Sequence, residues 1–234
     1  MALAGLRVVF IDDGGVLNDN ERRAPQWRRL LGEYLPPRLG GTSEAWAEAN
    51  RPAFERSWAR YLERVRTGSD RGIDEWTRAD RAESLVDMCE RVGVAPPPDP
   101  AAFAVETSAW VSERVRAGIP GAADAVRELA RRGLRLHTAS GGLSWELEPY
   151  LRGMGIRECF ERLYGPDLVD TTKSSPDYYV AMLADSATDP TTAVVVDDSA
   201  EARGWAASVG LRAFASLRDL SAEIGGDARM GALP

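Results

Sequence analysis

Lysine is almost absent from this chain of 234 residues: of its 29 basic residues only Lys173 is Lys. A bias toward Arg of this size leaves Lys chiefly where a compact ammonium does what a planar guanidinium cannot, which marks Lys173 as a candidate site residue. Histidine is as scarce, with His137 alone, and that excludes His-rich zinc sites. Cys89 and Cys159 are the only cysteines, too few for a disulfide framework and without partners at zinc-ligand spacing, so both read as small apolar residues. No apolar run approaches 18 residues, so no membrane span is expected. A net charge of -7 supplies no basic field for nucleic acid or anionic lipid, and any phosphate must be held by local design. The start of the chain, with one Arg and an apolar run ending in two carboxylates, lacks the form of a signal peptide, and a cytoplasmic location is the expectation.

What is present is a packed globular composition, 44% hydrophobic with seven Trp. Leu6–Ile11 is an almost continuous apolar run rich in β-branched residues, as expected of a strand buried on both faces of a parallel sheet. Comparable runs cover Leu134–Thr138, Ala193–Val196 and Leu211–Phe214. Helical periodicity lies between them over Gly121–Arg132, closed by Gly133, and over Ser199–Val209. Strands alternating with helices of this length predict right-handed crossovers and a doubly wound, Rossmann-like α/β sheet. Ligands of such sheets bind at the carboxyl ends of the strands, where Asp12, Thr138 and the Asp197-Asp198 pair fall.

Residues 18–105 differ, with no strand-like run. Trp46, Phe54, Trp58, Tyr61, Leu62 and Val65 follow one helical stripe, and Trp76, Val86, Cys89 and Val92 another, which predicts an all-helical insertion. Both stripes read as packing surfaces, not ligand platforms. The expected division is therefore a core of residues 1–17 and 106–234 with a helical domain at 18–105. The tail after Leu220, carrying Gly225, Gly226 and Gly231, is expected to be loosely ordered.

Asp12 ends a buried strand and is followed by Asp13, Gly14 and Gly15, glycines that permit tight turning; the carboxylate can face a ligand or simply close the strand as a cap. Adjacent carboxylates at Asp197 and Asp198 repel each other and are best tolerated with a hard divalent cation between them and a third carboxylate, for which magnesium is the natural candidate. Asp198 or Ser199 can also serve as a helix N-cap. The Thr138 hydroxyl and the backbone amides beside it can bind phosphoryl oxygens, whereas Ser140 reads as an N-cap and His137 as a packed residue.

Asp12-Asp13-Gly14-Gly15-Val16-Leu17, the strand-end Thr138, Lys173 before Ser174-Ser175-Pro176, and Asp197-Asp198 resemble, in this order, the four signature motifs of the haloacid dehalogenase-like hydrolase superfamily. The helical block after the first motif resembles the cap domain inserted there. The resemblance implies that Asp12 is a nucleophile forming an aspartyl intermediate. It also implies that Thr138 and Lys173, with Asp13 and Ala139 beside them, bind the phosphoryl group, and that Mg2+ is held by Asp12, the Gly14 carbonyl and Asp198, assisted by Asp197. The implied activity is a magnesium-dependent phosphatase acting on a small phosphorylated metabolite. One departure stands out. Gly14 occupies the position at which phosphatases of the superfamily carry a second Asp as general acid and base, a loss that typically costs about 10²–10⁴-fold in rate. The alternatives are a 2-haloacid dehalogenase, which lacks that Asp, uses no metal and carries no adjacent acidic pair at the last motif, and a non-catalytic phosphate-binding module. Arg22, Arg23 and Arg71 of the helical block are candidates to meet an anionic substrate, or solvated surface.

Overall fold

The computed structural model describes residues 5–67 and 72–230. In chain order the elements are β1 (Val8–Ile11), α1 (Asn20–Tyr34), α2 (Pro36–Leu39), α3 (Ser43–Arg66), α4 (Ile73–Val92), α5 (Pro100–Arg114), α6 (Ala122–Arg131), β2 (Arg135–Ala139), α7 (Ser144–Gly153), β3 (Phe160–Tyr164), α8 (Pro166–Val169), α9 (Pro176–Asp185), β4 (Ala193–Val196), α10 (Ala200–Ser208), β5 (Arg212–Phe214) and α11 (Leu217–Met230). The chain divides into two compact units, one of residues 1–19, 118–144 and 154–234, the other of 20–117 and 145–153.

The first unit is a five-stranded sheet in the order β3-β2-β1-β4-β5, parallel at every pairing. β1, β2 and β4 are buried almost throughout, which explains their continuous apolar runs. The helix α6 ends as its sequence suggests, with Gly133 at φ 79° and the Leu134 N–H reaching back to the Leu129 carbonyl. Phe10, Tyr164, Tyr178, Tyr179, Met182 and Val195 form the centre of the apolar core between the sheet and its α9 and α10 side. Ser175 caps α9 by accepting the Asp177 N–H at 3.2 Å, with Pro176 at the first helical position, and Ser199 caps α10 by accepting the Ala202 N–H at 3.3 Å.

β3 has no counterpart among the sequence-derived strands. Its register slips between Leu136 and His137 of β2, so that Phe160 pairs with Leu136 but Arg162 with His137. Glu161 is the extra residue, and the run of two exposed residues it creates breaks the period-two pattern by which an edge strand is read. The tail also differs from expectation, since α11 continues through Gly225 and Gly226 to Met230; Gly231 lies outside the described residues.

In the helical unit, Leu30, Leu31 and Tyr34 of α1, Trp46, Ala49 and Ala53 of α3, Leu85, Met88 and Cys89 of α4, and Val111 of α5 share one core. This core carries the unit past the expected boundary at 105: α5 packs on α1 and α4, and Tyr150 of α7 joins the same cluster. The stripe on α3 also needs correction. Trp46 is fully buried, its indole N–H given to the Gly40 carbonyl at 2.8 Å, but the inward face continues through the small residues Ala49, Ala53 and Ser57. Phe54, Trp58 and Leu62 are 64%, 50% and 49% exposed. Small residues let neighbouring helices approach closely, so the larger side chains of the same helix are turned outward. A polar network also runs through this unit: buried Asp80 accepts Arg60 Nε at 2.6 Å and Arg81 Nη1 at 3.3 Å, and Arg81 Nε reaches Glu146 Oε1 at 2.9 Å. Among the described residues, no helix is long and apolar enough to cross a membrane.

Candidate functional site

The order of the strands reverses direction at β1: the chain moves outward through β2 and β3, then returns to place β4 on the other side of β1. That reversal opens a crevice beyond the carboxyl ends of β1 and β4. Ile11 and Val196 are register partners, so Asp12 and Asp197, the next residue of each strand, emerge side by side. The Asp12 N–H donates to the Val196 carbonyl at 2.9 Å and the Asp197 N–H to the Phe214 carbonyl at 2.9 Å, fixing both backbones. Ligand oxygens of Asp12, Asp197 and Asp198 lie within 4.8 Å of one another.

Lys173 completes the cluster. It sits between α8 and α9, where buried Thr172 and the Ser175 cap hold the segment, and its side chain is 8% exposed. Its Nζ is 2.9 Å from Asp12 Oδ1 and 2.6 Å from Asp197 Oδ2. Burial pushes the Asp12 carboxyl up to about 7, against the pull of Lys173 and with the repulsion of Asp197 adding to the rise. Burial also opposes the charge of Lys173, but Asp12 and Asp197 outweigh it and raise its affinity for the proton above that of an ordinary lysine. Three carboxylates against one ammonium leave a formal charge of -2, with Asp12 and Asp197 buried and Asp198 exposed. An all-oxygen donor set of that charge and spacing suits a hard divalent cation such as Mg2+.

The turn after β1 is built around this cluster. The Asp13 carbonyl receives the N–H groups of Leu17 and Asn18 at 2.8 and 2.9 Å, and the Asp13 carboxylate accepts the Asn18 amide at 2.6 Å. Asp13 is thus turned into the loop. Gly15 has φ 81°, and a Cβ placed on it would overlap the Asp198 carboxylate. Glycine is needed there twice, for the backbone angle and for the approach of Asp198.

Thr138 does not join the cluster. It is level with Ile11, one residue short of Asp12, and is fully buried. Its hydroxyl donates at 2.9 Å to the Tyr164 carbonyl, which also receives the Tyr178 hydroxyl and the Ser140 N–H at 3.1 Å each. Ala139, level with Asp12, closes the strand and is likewise buried. Ser140 is the first residue beyond β2. It is not a helix cap: α7 starts four residues later with its Ser144 N–H taken by Asp167 Oδ1 at 2.8 Å, while Ser140 Oγ accepts the Gly142 N–H at 3.0 Å. Threonine, polar in name but β-branched, belongs in a buried strand.

His137 is packed as expected, 2% exposed and stacked on Phe10 at 5.4 Å between ring centroids. Burial lowers its pKa to about 4. Arg22 and Arg23 lie on α1, Arg23 over the Tyr150 ring at 5.3 Å, and Arg71 lies outside the described residues.

The sequence matches a family of hydrolases described as haloacid dehalogenase-like hydrolase over residues 6–208. Protein CbbY of Cereibacter sphaeroides is 34% identical over 100 residues, which span 42% of this chain and 44% of that protein. The fold is similar to that of the defluorinating L-2-haloacid dehalogenase Rha0230, with a TM-score of 0.64 and 14% identity over 89% of this chain and 80% of that one. It is similar as well to the magnesium-bound HAD-hydrolase YfnB of Bacillus subtilis, with a TM-score of 0.61 and 16% identity over 94% and 98% of the two chains. With the family match covering most of its length and the acids of the first and last motifs side by side at the sheet's switch point, the chain belongs to the haloacid dehalogenase-like hydrolases.

Proposed function

We propose that this hydrolase is a magnesium-dependent phosphatase that transfers a phosphoryl group from a small phosphorylated metabolite to Asp12 and then to water. The observation that carries the reading is the grouping of Asp12, Asp197 and Asp198 within 4.8 Å, with Lys173 bonded to two of them. A carbon-halogen substrate gives such a concentration of negative charge nothing to do, whereas a phosphoryl group needs a cation and an ammonium to offset its equatorial oxygens. In this assignment Asp12 attacks phosphorus through the oxygen that Lys173 does not hold. Lys173 orients Asp12 and stabilises the charge that builds on the transferring group. Asp197 holds Lys173, and Asp198 joins Asp12 as ligand to the metal. The metal, when bound, neutralises phosphoryl oxygens and aligns them with the nucleophile. Ser140, in place of Thr138, is the residue at the end of β2 that offers a hydroxyl and a neighbouring N–H to phosphoryl oxygens.

The test is release of inorganic phosphate from p-nitrophenyl phosphate with Mg2+ and with excess chelator. Expected are turnover only with Mg2+ and its loss in Asp12→Asn. Chelator-resistant release of chloride from 2-chloropropionate, with no phosphate release, would instead support the dehalogenase alternative, which Gly14 favours because dehalogenation needs no second Asp.

A further inference from the structure

We infer that Arg203 is a positioning residue of the metal centre, holding the main chain of Asp197 and Asp198 so that the Asp198 carboxylate stands beside Asp12. The inference rests on the Mg2+ site proposed above and assigns to it a residue outside its ligand set. Arg203 lies on α10, five residues beyond Asp198, and its side chain turns back past the start of the helix. One guanidinium nitrogen, Nη1, donates to the Asp197 carbonyl at 2.7 Å and to the Asp198 carbonyl at 2.8 Å.

The other acids of the cluster are anchored through their side chains. Lys173 holds Asp12 and Asp197, and Asp197 Oδ1 also accepts the Ser199 N–H at 2.9 Å. Asp198 has no such anchor: its side chain is exposed, and among the described residues no donor is bonded to its carboxylate. The place of that carboxylate is therefore set by the course of its own main chain and by the bare face of Gly15 against which it lies. On that main chain, the carbonyls of residues 197 and 198 fall between the end of β4 and the start of α10. Among the described residues neither receives a backbone N–H, and Arg203 supplies the donor to both.

Helix chemistry alone does not call for an arginine here. Residue 203 is the fourth of α10, near the end at which the aligned peptide dipoles favour an acidic side chain over a basic one. The helix already has Glu201 in its first turn and Ser199 as its cap. Among the described residues, the guanidinium makes no bond other than those to the two carbonyls. Its charge also works against the metal, since a cation fixed to the backbone of two of the three acids repels an incoming divalent ion. Arg203 thus weakens the attraction of the site while giving it shape, and the two effects have opposite signs when the residue is removed.

Calorimetric titration of Mg2+ into the folded, substrate-free protein tests this on the wild type, Arg203→Met, Asp198→Asn and the double variant. Loss of charge alone would tighten binding in Arg203→Met, whereas loss of positioning loosens it. Expected is a Kd about 10- to 100-fold higher for Arg203→Met, the usual cost of removing a support behind a metal ligand. Adding Arg203→Met to Asp198→Asn should bring no further rise, because the carboxylate it positions is already gone. Arg203→Gln, neutral and too short to span both carbonyls, takes its place in the cycle should Arg203→Met not fold. Unchanged or tighter binding in the Arg203 variant, or an equal loss with and without the Asp198 carboxylate, would overturn the inference and leave the metal site standing. A wild-type protein that takes up no Mg2+, or that binds it no better than Asp198→Asn, would overturn the metal site itself.

Discussion

Lys173 makes two buried ion pairs, and one change there separates its roles. Lys173→Ala removes the ammonium that faces Asp12 and Asp197, leaving two carboxylates that repel each other with nothing between them. The expected loss in kcat/KM is about 10²–10³-fold, the usual cost of deleting a charged stabiliser of the transition state, and Lys173→Arg should not restore activity because a fork of five donors cannot sit as a point charge between two oxygens. Steady-state kinetics on p-nitrophenyl phosphate read both. Gly15 carries a different prediction. Gly15→Ala imposes a strained φ and pushes the Asp198 carboxylate out of its place. Mg2+ affinity should fall by about 10- to 100-fold, read by calorimetric titration of the folded protein without substrate. An unchanged titration would remove Asp198 from the metal site.

β2 is legible along the chain in part. Its apolar character was visible, and so was the packed state of His137. The partner of Thr138 is not legible: the sequence ends the run at Thr138 with its hydroxyl open to a ligand, whereas that hydroxyl donates to the Tyr164 carbonyl of a neighbouring strand. A hydrogen bond to a residue 26 positions away leaves no mark in the local sequence, and neither does the register slip that disguises β3. By contrast, the strand ends at Asp12 and Asp197 were legible because an apolar run stops abruptly at a charge that strands buried on both faces do not tolerate.

His137 also makes the sheet sensitive to acid. Its folded pKa of about 4 lies below the ordinary 6.5, so the unfolded chain binds the proton more readily between those values and stability falls as pH drops through that window. Between pH 7 and pH 5 this amounts to about 2 kcal/mol. Urea unfolding at the two pH values should show a smaller difference for His137→Leu than for the wild type; equal differences would show that other groups set the acid response.

For the molecule as a whole, the division into a sheet unit and a helical unit came from the contrast between β-branched runs and helical periodicity, while the boundary came from packing. α5 and α7 belong with the helices because Val111 and Tyr150 share a core with Trp46, a partnership set by three dimensions and invisible along the chain. Trp46 is the largest side chain of that core and fully buried. Trp46→Ala should destabilise the helical unit by about 3–5 kcal/mol, read as a lower midpoint in chemical denaturation followed by circular dichroism; a loss below 1 kcal/mol would mean that the core closes over the gap.

The sheet unit gathers residues from positions 12, 173, 197 and 198 into one cluster, and the claim that this cluster transfers phosphoryl groups rests on Asp12 as nucleophile. The direct measurement is to quench the protein with acid during turnover of acetyl phosphate and Mg2+, digest it, and map the peptide that gains the mass of a phosphoryl group. The account predicts a hydroxylamine-labile adduct on Asp12, absent from Asp12→Asn and absent without Mg2+. Turnover with no adduct on Asp12, or with the phosphoryl group on another residue, would contradict it.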